Sequence, residues 1–65
     1  MFEIKIERMN GAVRVLTVNW SYNQVRSKFM DLFLHSQPGP LQIAEIVVHA
    51  TSPERLCLHL HRCGS

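Results

Sequence analysis

Four residues with metal-ligand and nucleophile chemistry alternate near the end of the chain: Cys57, His59, His61 and Cys63, separated by Leu58, Leu60 and Arg62. Zinc takes Cys and His in a tetrahedral shell with bonds of about 2.0–2.3 Å. Alternate residues of a strand lie about 7 Å apart at Cα, so neighbours such as His59 and His61 could share an ion, whereas all four could not. His49 could add a third ligand beside Cys57 and His59. The plainer reading is adopted: these are the polar and small residues of an exposed strand face. No cofactor is expected, and His49, Cys57, His59 and His61 are the ligands to test if an ion binds. Cys57 and Cys63 would sit about 20 Å apart on such a strand, beyond the roughly 7 Å limit of a disulfide. Two free thiols fit a reducing compartment, and the cytoplasm is the expected location.

Catalysis has less to work with. The only aspartate, Asp31, falls on a helix. A nucleophile–histidine–carboxylate set would have to combine Cys57 or Cys63 with a histidine and Glu3, Glu7 or Glu45 on an open sheet, with no cleft to exclude water. The chain is expected not to be an enzyme. A net charge of +2 with interleaved acids and bases does not by itself argue for nucleic acid. Lys5, Arg14, Arg55 and Arg62 with His59 and His61 could nevertheless line one side of a sheet, with Trp20 or Tyr22 to stack on a base, so a nucleic-acid-binding domain is the alternative function. A metal-binding domain using the Cys/His strand is another.

The elements that position these residues follow from periodicity. Leu56, Leu58 and Leu60 share one face of an extended strand. Phe2, Ile4 and Ile6 alternate in the same way with Glu3, Lys5 and Glu7. Asn10-Gly11 is a strong hairpin signal, both residues tolerating positive φ. Ala12 to Trp20 reads as a second strand, but Val13 and Val15 are out of phase with Leu16, Val18 and Trp20. One extra residue near Val15 or Leu16 would reconcile them, so a bulge is expected there.

Ser21 and Gln24 have the spacing of a capping box and open a helix. Tyr22, Val25, Phe29, Leu32 and Phe33 form its apolar stripe, leaving Met30 and Leu34 on its back. Pro38-Gly39-Pro40 ends it near His35 or Ser36. Leu41 to Ala50 is a third strand, Thr51 to Glu54 a turn, and Arg55 to Cys63 a fourth. A chain of 65 residues forms one domain, residues 1–65, with a small core and a correspondingly thin stability margin. No run approaches the roughly 18 apolar residues of a membrane span.

The order is ββαββ, an α+β fold. The clean alternation of the first and last strands suggests a central position, and the irregular second and third strands suit edges. This predicts a four-stranded mixed sheet of order 2-1-4-3, with the two end strands parallel at its centre and the helix on one face. In this form the chain resembles the ubiquitin-like β-grasp family. The resemblance rests on Met1-Phe2-Glu3-Ile4-Lys5-Ile6, the Asn10-Gly11 hairpin, the capped helix around Val25-Arg26-Ser27-Lys28-Phe29, and Leu56-Cys57-Leu58-His59-Leu60-His61-Arg62. It implies a binding module that offers an open sheet face to partners. Ubiquitin and the sulfur carriers end in Gly-Gly, whereas this chain ends Cys63-Gly64-Ser65, so conjugation chemistry is not implied.

The expected function is therefore a small non-enzymatic protein-interaction module: an adaptor, an inhibitor or a self-associating domain such as a homodimer. Its candidate contacts are Met30 and Leu34 on the helix back, and Val47, His59 and His61 on the open sheet face. Addition of a partner strand to the second or third strand is a further route.

Overall fold

The computed structural model describes residues 1–63, which form β1 (Phe2–Arg8), β2 (Val13–Val18), α1 (Tyr22–Leu34), β3 (Ile43–Thr51) and β4 (Glu54–His61). The element order matches the sequence reading; the sheet order does not. The strands run β2-β1-β3-β4 and every pairing is antiparallel. The expected order 2-1-4-3, with a parallel central pair, is thus corrected: β3 lies between the two end strands. The ubiquitin-like resemblance receives no support from this topology.

The reason lies in burial. In β3, Ile43, Ile46 and Val48 are buried, while in β4 Leu58 and Leu60 are only half-covered and Leu56 is exposed. A strand with neighbours on both sides and a helix above it needs apolar density, which β3 carries as Ile46-Val47-Val48. Regular alternation is equally compatible with an edge. Every strand keeps the direction expected of it, and exchanging β3 with β4 brings β3 one inter-strand spacing of about 4.8 Å closer to β2. That shortens the path that α1 and its loops must cover.

The β1–β2 hairpin turns on Gly11, whose φ of +88° lies in the left-handed region. Asn10 does not share that conformation; its side-chain oxygen instead accepts from the Ala12 N–H at 3.0 Å. The Gly11 N–H bonds to the Arg8 carbonyl at 2.9 Å, closing a three-residue loop. The expected bulge in β2 is absent, since its register with β1 is continuous from Phe2↔Val18 to Glu7↔Val13. Irregularities occur instead in β1–β3 at Glu7/Arg8 and in β3–β4 at Val48/His49.

Ser21 caps α1 as its spacing with Gln24 requires: its hydroxyl accepts from the Gln24 N–H at 3.2 Å, and the Gln24 side chain accepts from the Ser21 N–H at 3.1 Å. The helix buries Val25 and Phe29 against Ile4, Ile6, Ile43, Ile46 and Val48. Phe33 is half-buried, whereas Tyr22 and Leu32 of the expected stripe remain 38% and 42% exposed at its margins. Trp20 stacks on Phe29 with ring centroids 6.2 Å apart.

Arg62 ties the end of the chain to the core. Its Nη2 donates to the Phe33 carbonyl at 2.8 Å and its Nε to the Ile43 carbonyl at 3.0 Å, while the guanidinium carbon lies 4.2 Å from the Phe33 ring centre. One side chain thereby joins the end of α1, the start of β3 and the end of β4.

Candidate partner-binding surface

The ladder registers lay the open face out as rows across the sheet. One row runs Val15–Lys5–Val47–His59 and the next Val13–Glu7–Glu45–His61. A third places Thr17, Glu3 and His49 in line, with Leu56 opposite His49. Three of the expected contacts, Val47, His59 and His61, therefore share a surface even though β1 and β4 are not neighbours. Side-chain parity along each strand survives the change of strand order.

His59 anchors one corner. Its Nε2–H donates to Oε2 of Glu45 at 2.6 Å, and its ring centre lies 6.2 Å from that of His61. The hydrogen bond from His59 holds the Glu45 carboxyl below the usual glutamate range; desolvation opposes it, and the nearby His59, His61 and Lys5 charges reinforce it. This arrangement fixes two polar side chains beside Val47.

The sequence reading missed the contribution of β2. Without a bulge, Val13 and Val15 point away from the helix and remain 52% and 55% exposed. Their change of phase relative to Leu16 and Val18 was the available signal, since two valines followed by inward residues also describes a strand with apolar groups on both faces. The aliphatic stem of Lys5 lies between Val15 and Val47 in the same row.

The helix back is less coherent. Met30 is half-buried, whereas Leu34 is 69% exposed beside Arg26, Lys28 and Asp31. Leu32, expected in the core, instead lines a cleft of about 540 Å³ with His35, Pro38, Pro40 and Leu41.

The ligand set around His49, Cys57, His59 and His61 does not assemble. Cys57 is the extra residue between the pairs Val48↔Leu58 and His49↔Leu56, and it packs against the core instead of joining His59 on the open face. Among the described residues no group of three or more His, Cys, Asp or Glu side chains is placed to hold a metal. Cys57 and Cys63 are both free thiols.

The basic residues do not all share the open face either. Lys5 lies there, whereas the three arginines expected beside it lie on the helix side: Arg14 pairs with Ile6, Arg55 lines a small cleft with Phe2 and Tyr22, and Arg62 is held by its carbonyls and Phe33. On the open face Lys5 stands among Glu3, Glu7 and Glu45, three carboxylates against one ammonium. Among the described residues no helix is long and apolar enough to cross a membrane. No known family model, curated protein or solved structure matches the chain.

Proposed function

We propose that this chain is a small, non-enzymatic protein-interaction module that binds a protein partner through its open sheet face. The observation carrying this reading is the row Val15–Lys5–Val47–His59, where exposed valine, a lysine stem and half-covered valine run into a histidine fixed by Glu45. The face sets Val13, Val15 and Val47 among Glu3, Lys5, Glu7 and Glu45, a mixed apolar and charged surface. Non-obligate protein interfaces taken whole are no more apolar than the rest of a protein surface. Its excess of carboxylates repels a phosphate backbone, so a protein fits the face better than a nucleic acid does. The two free thiols favour the cytoplasm as its place of action.

The test is capture of partners by tagged protein from its source lysate, comparing Val47→Glu and the double variant His59→Glu/His61→Glu with Met30→Ser/Leu34→Ser. Loss of the same partner from the first two, with circular dichroism unchanged and the helix-back variant still active, is the expected result. Capture that survives Val47→Glu and the histidine double variant would remove the sheet face from consideration. Binding through this row should also tolerate added salt, whereas a phosphate-dependent contact weakens steeply with it.

A further inference from the structure

We infer that the free edge of β2 pairs with the β2 edge of a second copy of this chain, joining two four-stranded sheets into one antiparallel sheet of eight. This inference stands apart from the open-face reading, because it uses backbone groups at the rim of the sheet.

The direction of those groups follows from the ladder. The Arg8 N–H donates to the Ala12 carbonyl at 2.9 Å, and the Thr51 N–H donates to the Met1 carbonyl at 3.2 Å. Hydrogen-bonded and non-hydrogen-bonded pairs alternate along an antiparallel ladder. In the continuous β1–β2 register, Arg14, Leu16 and Val18 therefore turn their amides toward β1. Val13, Val15 and Thr17 turn theirs to the outside, and among the described residues nothing bonds to them.

The two edges of the sheet are treated differently. β4 carries the Cys57 bulge, the Cys57 carbonyl accepts from the Tyr22 hydroxyl at 3.2 Å, and His59 and His61 stand along the strand. Bulges and polar side chains are common devices against edge pairing. β2 has fewer of them: it reads Val-Arg-Val-Leu-Thr-Val, with no proline, no bulge and Arg14 as its one charge. The helix packs over β3 and β4, leaving Leu16 and Val18 of β2 half-covered and the space beside them open to a neighbour.

A second copy fits this edge when the twofold axis passes through Leu16. Val15 then faces the second copy's Thr17 in a hydrogen-bonded pair, and Thr17 faces its Val15, using outward amides on both sides. Leu16 meets its own counterpart in the close, non-hydrogen-bonded position, extending the two cores toward each other. Arg14 falls opposite Val18, which keeps the two guanidinium groups apart. The alternative axis through Val15 puts the two arginines in diagonal contact at about 7–8 Å and is disfavoured by charge.

A six-residue edge buries less than the roughly 1,200 Å² of a standard interface, so half-association is expected at about 0.1–1 mM. Sedimentation equilibrium should show the mass rising from 7.5 kDa toward twice that value over this range. Hydrogen exchange followed by NMR should show Val15 and Thr17 amides slowing with concentration, by about fivefold when one-fifth of the chains are monomeric, while Arg14 and Leu16 amides do not respond. Val15→Pro removes an outward N–H without touching the β1 ladder, and Thr17→Pro does the same two residues on. Either variant, if folded by circular dichroism, should stay monomeric throughout. A wild-type chain that remains monomeric at 1 mM overturns the inference. So does a dimer that persists in a folded proline variant, or one whose Val15 and Thr17 amides exchange as fast as in dilute protein. Val47→Glu, which tests the open face, should leave this association intact.

Discussion

Arg62 is the side chain whose removal should cost this fold most for its position at the rim of the structure. Its fork bonds the Phe33 and Ile43 carbonyls at 2.8 and 3.0 Å, and its plane covers the Phe33 ring at 4.2 Å. A hydrogen bond to a charged donor contributes about 1.5–3 kcal/mol, and a half-exposed cation–π contact about 0.5–1 kcal/mol. Water can replace part of each bond, because Arg62 is only half-buried, so Arg62→Ala should destabilise by about 2–4 kcal/mol. A 65-residue domain holds about 3–10 kcal/mol in total, which makes that loss a large share of it. At about 4–8 °C per kcal/mol the melting temperature should fall by at least ~8 °C. Arg62→Met separates the terms by keeping an apolar stem over Phe33 while losing both bonds, and it should recover only the packing share. Arg62→Lys keeps the charge but not the fork, and should fall between Met and the native residue. Thermal and urea unfolding followed by circular dichroism gives all three values. If Arg62→Ala costs less than about 0.5 kcal/mol, the claim that this fork couples α1 to β3 is refuted.

The remaining expectations follow from single observations. Ser21→Ala removes the acceptor for the Gln24 N–H and should cost about 1 kcal/mol in urea unfolding, a loss that Ser21→Asp should largely restore. Phe29→Ala empties the contact between α1 and the sheet beneath Trp20 and should cost about 3–5 kcal/mol in urea unfolding, the largest loss expected of any single substitution considered for this fold. Gly11→Ala forces a Cβ into a φ of +88° and should destabilise by about 1 kcal/mol despite the open space around it. The Glu45 carboxyl, held low by the His59 hydrogen bond, stabilises the fold above the unfolded glutamate value, and that contribution disappears as pH falls through the lower folded value. Carbon-13 NMR should find its midpoint below the ordinary glutamate range in native protein and nearer that range in His59→Ala; an unchanged midpoint would discount the hydrogen bond as the cause.

What the sequence disclosed, and what it withheld, divides along a physical line. Local signals were legible: the Ser21/Gln24 cap, the Gly11 turn and the alternation of Ile4, Ile6, Leu58 and Leu60 all report interactions within a few residues or a single strand direction. Side-chain parity was legible for the same reason, which is why Val47, His59 and His61 share a face under either strand order. Strand order is a choice between non-local pairings, and regular alternation says nothing about it. The useful clue was apolar density, higher in Ile46-Val47-Val48 than in the leucines of β4. The Cys57 bulge was invisible because it arises from the mismatch of two strands, and it removed Cys57 from the face where the metal reading had put it. The same reasoning placed a bulge in β2, where a continuous register leaves Val13 and Val15 exposed instead.

Those valines connect stability to interaction. Among the described residues seven buried side chains form the core, and the sheet continues beyond the helix on the β2 side, where Leu16 and Val18 remain half-covered below and Val13 and Val15 are exposed above. A monomer built to stand alone would be expected to place charge on such a strand, as edge strands commonly do. Here the one charge is Arg14, an inward-pointing guard on the helix side, and Val13 and Val15 leave the other face of the strand apolar. Val13 and Val15 are exposed, so replacing either with threonine removes little from the core and the monomer's own packing does not require valine there. The proposed contacts, along the edge for the backbone and across the open face for the side chains, would give those valines a role. The two surfaces meet at Val15, whose amide points outward along the sheet while its side chain stands in the row that ends at His59. A protein binding across that row would therefore sense whether β2 is already paired, and proline at residue 15 should alter both contacts, whereas glutamate at residue 47 should alter only one.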